Sequence, residues 1–119
     1  MHAYTTTKAT DAIEQAWKRI KDAREAWNRA ADDDDEAERL HWAIVDPAEV
    51  LIASTPATEL RAAEIKLWIA LLHSVDGRDD DRAVVTENMA TLTALEPGFD
   101  FVPHLIFTAI RDLRSMQGA

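Results

Sequence analysis

Asp32-Asp33-Asp34-Asp35-Glu36 divides the first half of the chain, and Asp79-Asp80-Asp81 divides the second. Each acidic run stands directly before a stretch of amphipathic helical spacing. Aspartates at a helix start cap free N–H groups and complement the positive end of the dipole, at about 0.3–1 kcal/mol each. Both runs are therefore read as charged helix starts, and the chain around them as helices joined by short polar links.

Upstream of the first run, a helix is predicted from Thr7 or Asp11 to Ala31. Thr7 offers one cap and the Asp11-x-x-Glu14 box another. Ile13, Trp17, Ile20 and Trp27 form an apolar seam interrupted at Arg24, while Glu14/Lys18, Lys21/Glu25 and Glu25/Arg29 stand at i,i+4 on the other face.

Downstream, Ala37, Leu40, Ile44 and Leu51 make a stripe, with Trp42 and Val45 beside it. Asp46-Pro47-Ala48-Glu49 then repeats a start signature, so the second helix kinks there or a new one begins. Thr55-Pro56-Ala57-Thr58-Glu59 opens a third helix carrying Leu60, Ala63, Leu67, Trp68, Leu71 and Leu72, with Ile65 and Ile69 on its opposite side. Its charges stop at Lys66. A helix apolar all round is buried on several sides, which puts residues 67–72 at the centre of a bundle or in a subunit interface.

Gly77 breaks the chain before Asp79-Asp80-Asp81, which opens a fourth helix with Val85, Met89 and Leu92, ended by Glu96-Pro97-Gly98. Asp100 caps a fifth, whose apolar face is Val102, Leu105, Ile106, Ala109, Ile110 and Leu113. No segment alternates as a strand does. The expected fold is all-α: residues 1–119 as a single helical domain, a bundle of about five helices with a long N-terminal helical hairpin.

Composition narrows the function. The 119 residues are 47% hydrophobic with a net charge of −9 and mean hydropathy of −0.26, an ordinary globular balance. The charge is uneven: the first 31 residues carry a small positive excess, whereas Asp32 to Ser54 holds eight acids and only Arg39. Such a field repels phosphates, so direct nucleic-acid binding is not expected, while a basic partner is welcome. With no cysteine, disulfides and thiolate chemistry are excluded. Met1 to Lys8 lacks an apolar signal region, and Leu67 to Leu72 is far short of the roughly 20 residues a spanning helix needs, so a cytoplasmic protein without a membrane partner is expected.

No catalytic constellation stands out. Glu38-Arg39-Leu40-His41 has the Glu-x-x-His spacing of di-iron bundles, but the second such motif is missing, and His41 reads as a solvated or capping histidine. Asp76 to Glu87 spans a calcium loop's length, yet Arg78 and Arg82 fall at ligand positions and Asp81 where the turn glycine belongs. Ser54, Ser74 and Ser115 lack a nucleophile-elbow context. No metal or cofactor is expected, and no enzyme.

Leu51-Ile52-Ala53-Ser54-Thr55-Pro56-Ala57-Thr58, followed by Lys66-Leu67-Trp68, resembles uncharacterised short helical proteins of alphaproteobacterial genomes and prophages. In those proteins a long acidic, alanine-rich hairpin precedes a similar proline turn. The resemblance covers the first two thirds of the chain and implies a gene context without an activity; the helix from Phe99 to Met116 lies outside it.

Four tryptophans are a heavy aromatic load for this length. Core packing within one chain accounts for them, or part of the seam is a partner surface, since Trp is enriched at interface hot spots. The leading expectation is a non-enzymatic helical interaction or assembly protein, a homodimer through the first helix's seam (Trp17, Ile20, Trp27) or through the Leu67–Leu72 segment (Leu67, Trp68, Leu71), with Trp27 exposed or interfacial. The alternative is an acidic inhibitor whose Asp32, Asp33, Asp34, Asp35 and Glu36 imitate a phosphate row in another protein's basic groove.

Overall fold

The computed structural model describes residues 7–118. Among them are six α-helices and one short 3-10 turn, with no strand. α1 (Lys8–Arg29) and α2 (Asp35–Ser54) fold back on each other as the long N-terminal hairpin. α3 (Leu60–Ser74) is the central helix, packing on α1, on α4 (Arg78–Val85) and most extensively on α6 (Phe101–Gly118). α5 (Met89–Leu95) and the turn Glu96–Gly98 link α4 to α6.

The caps explain the boundaries. Thr7, rather than Asp11, starts α1: its hydroxyl accepts the Thr10 N–H at 3.1 Å. The helix ends at Arg29, short of Ala31. Asp34 does the capping within the first acidic run, accepting the Ala37 N–H at 2.9 Å. α2 then passes through Asp46-Pro47 without a break, so no new helix begins there. Thr55 ends α2, its hydroxyl donating to the Leu51 carbonyl, and α3 starts four residues later than the Thr55-Pro56 signature suggests. Glu59, at the start of α3, turns its carboxylate to α1 instead. It accepts from the Thr10 hydroxyl at 2.6 Å and the Thr7 N–H at 2.8 Å, which hold its pKa below the ordinary carboxylate value.

The fourth helix of the sequence reading is two helices. The chain breaks at Thr86-Glu87-Asn88, where Glu87 has φ +49° and Asn88 caps α5 by accepting the Thr91 N–H at 3.0 Å. A non-glycine residue at positive φ is uncommon and signals a local reason for the conformation. Asp79, Asp80 and Asp81 occupy the first turn of α4, as expected of a charged helix start.

One continuous core joins all six helices: Ile13, Trp17 and Ile20 of α1, Val45 and Ile52 of α2, Ile65, Trp68 and Leu71 of α3, Val84, Leu92, and Phe107 and Ile110 of α6. The radius of gyration, 14.9 Å, exceeds the roughly 13–14 Å of a rounder domain this long. The hairpin accounts for the elongation, since α2 packs mainly on α1 and leaves one side open.

Candidate interaction surfaces

The seam expected to meet a partner is mostly inside. Trp17, Ile20, Trp68 and Leu71 are fully buried within the single chain, and Leu67 and Trp27 are half-buried. The reason is that each core indole finds a polar partner at home. Trp17 donates to Glu87 Oε2 at 2.8 Å, and Trp68 to Glu64 Oε2 at 2.7 Å. The dimer surface expected at Trp17, Ile20, Trp68 and Leu71 is therefore corrected to core packing.

Those carboxylates anchor a clasp across the bundle. Arg61 of α3 bridges Glu14 of α1, Glu64 of its own helix and Glu87, with bonds of 2.9 and 3.0 Å to the two Glu87 oxygens. Arg114 of α6 reaches the same pair, at 3.0 Å to Glu64 and 2.6 Å to Glu87. Gln117 donates to the second Glu64 oxygen, and Lys21 stands 3.5 Å from Glu87. Three acids thus meet three bases. Burial would raise the Glu87 carboxyl, but hydrogen bonds from Arg61 and Trp17 and the charges of Arg61 and Lys21 outweigh it and pull the pKa down to about 2. Burial likewise opposes the charge on Arg61, and Glu87 and Glu14 hold that guanidinium above its ordinary value. The positive φ of Glu87 is what aims its carboxylate at four donors. Helical pairing within α1 gives way to this clasp: Glu14 and Lys21 leave the partners expected at i,i+4 and cross to other elements.

A second polar cluster lies at the hairpin tip. His41 is 2% exposed, neither solvated nor capping, and sits between Trp27 (4.5 Å) and Trp42 (4.6 Å). The Arg24 guanidinium lies 5.2 Å over Trp27 and 5.8 Å over Trp42, with Asp81 3.6 Å from one of its nitrogens. Among the described residues, the buried side-chain nitrogens and oxygens without a hydrogen-bond partner are Arg24 Nε and both ring nitrogens of His41. Burial pushes the His41 pKa down to about 4; the Arg24 charge acts the same way and Asp46 opposes it.

Two apolar surfaces remain open. One is a groove of about 260 Å³ between α1 and α2, lined by Ala23, Ala26, Trp27, Ala37, Leu40, His41 and Ile44. The other runs along α6, where Phe101 is 72% exposed, Val102 58%, Leu105 53% and Met116 54%. Around the groove's loop end, the acidic run is partly spent: Asp32 binds Arg78, Asp34 caps α2 and Glu36 binds Arg39. Among the described residues, Asp33, Asp35 and Glu38 have no salt-bridge partner.

Among the described residues, no group of three or more His, Asp or Glu is placed to hold a metal ion, and no helix is long and apolar enough to cross a membrane. Comparison of the chain with protein-family models, with curated proteins and with solved structures finds no match.

Proposed function

We propose that this chain is a non-enzymatic helical assembly protein that pairs with a second copy through the outer face of α6. The observation that carries the reading is the stripe Val102, Leu105, Ala109, Asp112 and Met116, spaced three and four residues apart along the whole helix. That is the a/d spacing of a two-helix seam. Its inward neighbours Phe107 and Ile110 are already buried against the core, so the stripe is additional to what the fold needs.

Phe101, Val102, Leu105 and Met116 together leave on the order of 500 Å² open per chain. Two copies would remove roughly 1,000 Å², the lower bound for a specific interface. An area at that bound has the size of a transient contact rather than of an obligate dimer. The nucleic-acid-mimic reading draws less support, because three of the five carboxylates in its row are engaged within the chain.

Sedimentation of the wild-type chain is expected to show concentration-dependent dimers. Val102→Asp with Leu105→Asp should sediment as a monomer with unchanged helical circular dichroism, since both side chains are exposed. A wild-type chain that stays monomeric at several hundred micromolar overturns the reading.

A further inference from the structure

We infer that the groove at the hairpin tip is a second docking site, and that it takes an amphipathic, basic helix from another protein. Two different observations converge on it. The groove is apolar where a helix would lie: Ala23, Ala26 and Ala37 give it small lining residues, and Leu40 (49% exposed) and Ile44 (43%) stand open along α2. Small residues let a third helix approach closely, and leucine-type anchors spaced three and four apart fit between the two helices. The lining also includes His41, almost wholly buried and without a hydrogen-bond partner at either nitrogen. An orphaned buried polar group is costly, so this end of the hairpin is packed with its polar groups unsatisfied.

Charge selects the occupant. The groove is lined from Ala37 onward in α2; Asp35 and Glu38 stand in the same first turns of that helix, and Asp33 lies just before it. Among the described residues these three carboxylates have no salt-bridge partner, so lysine or arginine at one end of the incoming helix meets negative charge. A second copy docking tip to tip is the wrong occupant here, because it would bring a second acidic run against the first. Pairing through α6 and docking at the hairpin use separate surfaces, so the dimer would present two such grooves.

The test is fluorescence anisotropy with a labelled amphipathic Leu/Lys helix of about five turns, and with its Leu/Glu counterpart as the control. Both wild type and the Val102→Asp/Leu105→Asp chain serve as binders, which separates this site from the α6 face. The Leu/Lys helix should bind both chains, shift the Trp27 indole N–H resonance, and lose at least about tenfold in affinity to Leu40→Asp with Ile44→Asp. Should that variant lose helix content, Leu40→Ser with Ile44→Ser replaces it. Asp33→Asn, Asp35→Asn and Glu38→Gln together should flatten the salt dependence. Equal binding of the Leu/Glu helix, affinity indifferent to the Leu40 and Ile44 variants, or no binding of the Leu/Lys helix to either chain would each overturn the inference.

Discussion

The clasp between α3 and α6 and the cluster at the hairpin tip are built from the same ingredients and finished differently. Each sets an arginine against a tryptophan face: Arg114 lies 5.6 Å over Trp68 in the clasp, and Arg24 lies 5.2 Å over Trp27 at the tip. In the clasp every guanidinium meets carboxylates, and both indole N–H groups are bonded to them. At the tip Arg24 has one carboxylate, at 3.6 Å, and His41 has no hydrogen-bond partner among the described residues. Buried polar networks stabilise when complete and destabilise when partial. The contrast therefore assigns stability to one end of the molecule and leaves the other end available for contact.

Removing Arg61 attacks the completed end and has the largest expected effect. Arg61→Met leaves Glu64 and Glu87 to Arg114, Lys21, Gln117 and the Trp17 and Trp68 indoles, one guanidinium short, and frees Glu14 from α3. Breaking a buried pair by deleting one partner costs about 3–5 kcal/mol; with the Arg61 side chain a quarter exposed, the lower figure applies. Urea denaturation checks it. A loss under about 1 kcal/mol would reduce the clasp to an ordinary surface ion pair.

Acid titration separates the two ends by sign and by window. His41 ionises near 4 in the folded chain against 6.5 unfolded, so the unfolded chain takes up the proton first. Stability is then lost as pH falls from 6.5 to about 4, by about 3 kcal/mol at most. Glu87 has its folded value near 2 against 4.5, so its stabilisation is present above 4.5 and is lost as pH falls toward 2. Two successive declines are expected. His41→Leu should abolish the upper one, and it should also stabilise the chain at pH 7 by about 1 kcal/mol, because an orphaned polar group is replaced by an apolar one. If His41→Leu destabilises at pH 7, the imidazole is satisfied in solution and the contrast between the two ends fails.

Sequence made the helices legible because their signals are local. The Asp34 cap, the acidic first turn of α4 and the apolar crowding after Lys66 all act within one or two turns. The break at Glu87 was missed because Thr86-Glu87-Asn88 contains no glycine or proline. Asn88 as a cap was the one local hint, and the reason for the turn lies in donors on α1, α3 and α6. The interface residues failed for a related reason. Spacing shows that Trp17 and Trp68 are buried, and says nothing about which chain buries them. In α6, the apolar arc from Val102 to Leu113 reads as one face, yet α3 covers only the part near Phe107 and Ile110. Exposure of the remainder becomes visible only when the helices are placed.

Asp112 supplies the smallest effect and the finest test of that uncovered face. It interrupts an otherwise apolar or small stripe and has no partner among the described residues. A polar residue at a seam position weakens association while fixing alignment. Parallel, in-register pairing would set the two Asp112 carboxylates against each other, whereas antiparallel pairing keeps them apart, so the antiparallel arrangement is expected. Asp112→Leu should then tighten self-association by about tenfold, or about 1.4 kcal/mol, and loosen its orientation. Sedimentation gives the affinity, and spin-label distances from a cysteine introduced at Ser115 give the orientation. Long distances in the wild type and mixed distances in the variant fit a seam that Asp112 aligns. An affinity unmoved by the substitution would mean that the copies meet elsewhere, since no other residue of the stripe carries a charge.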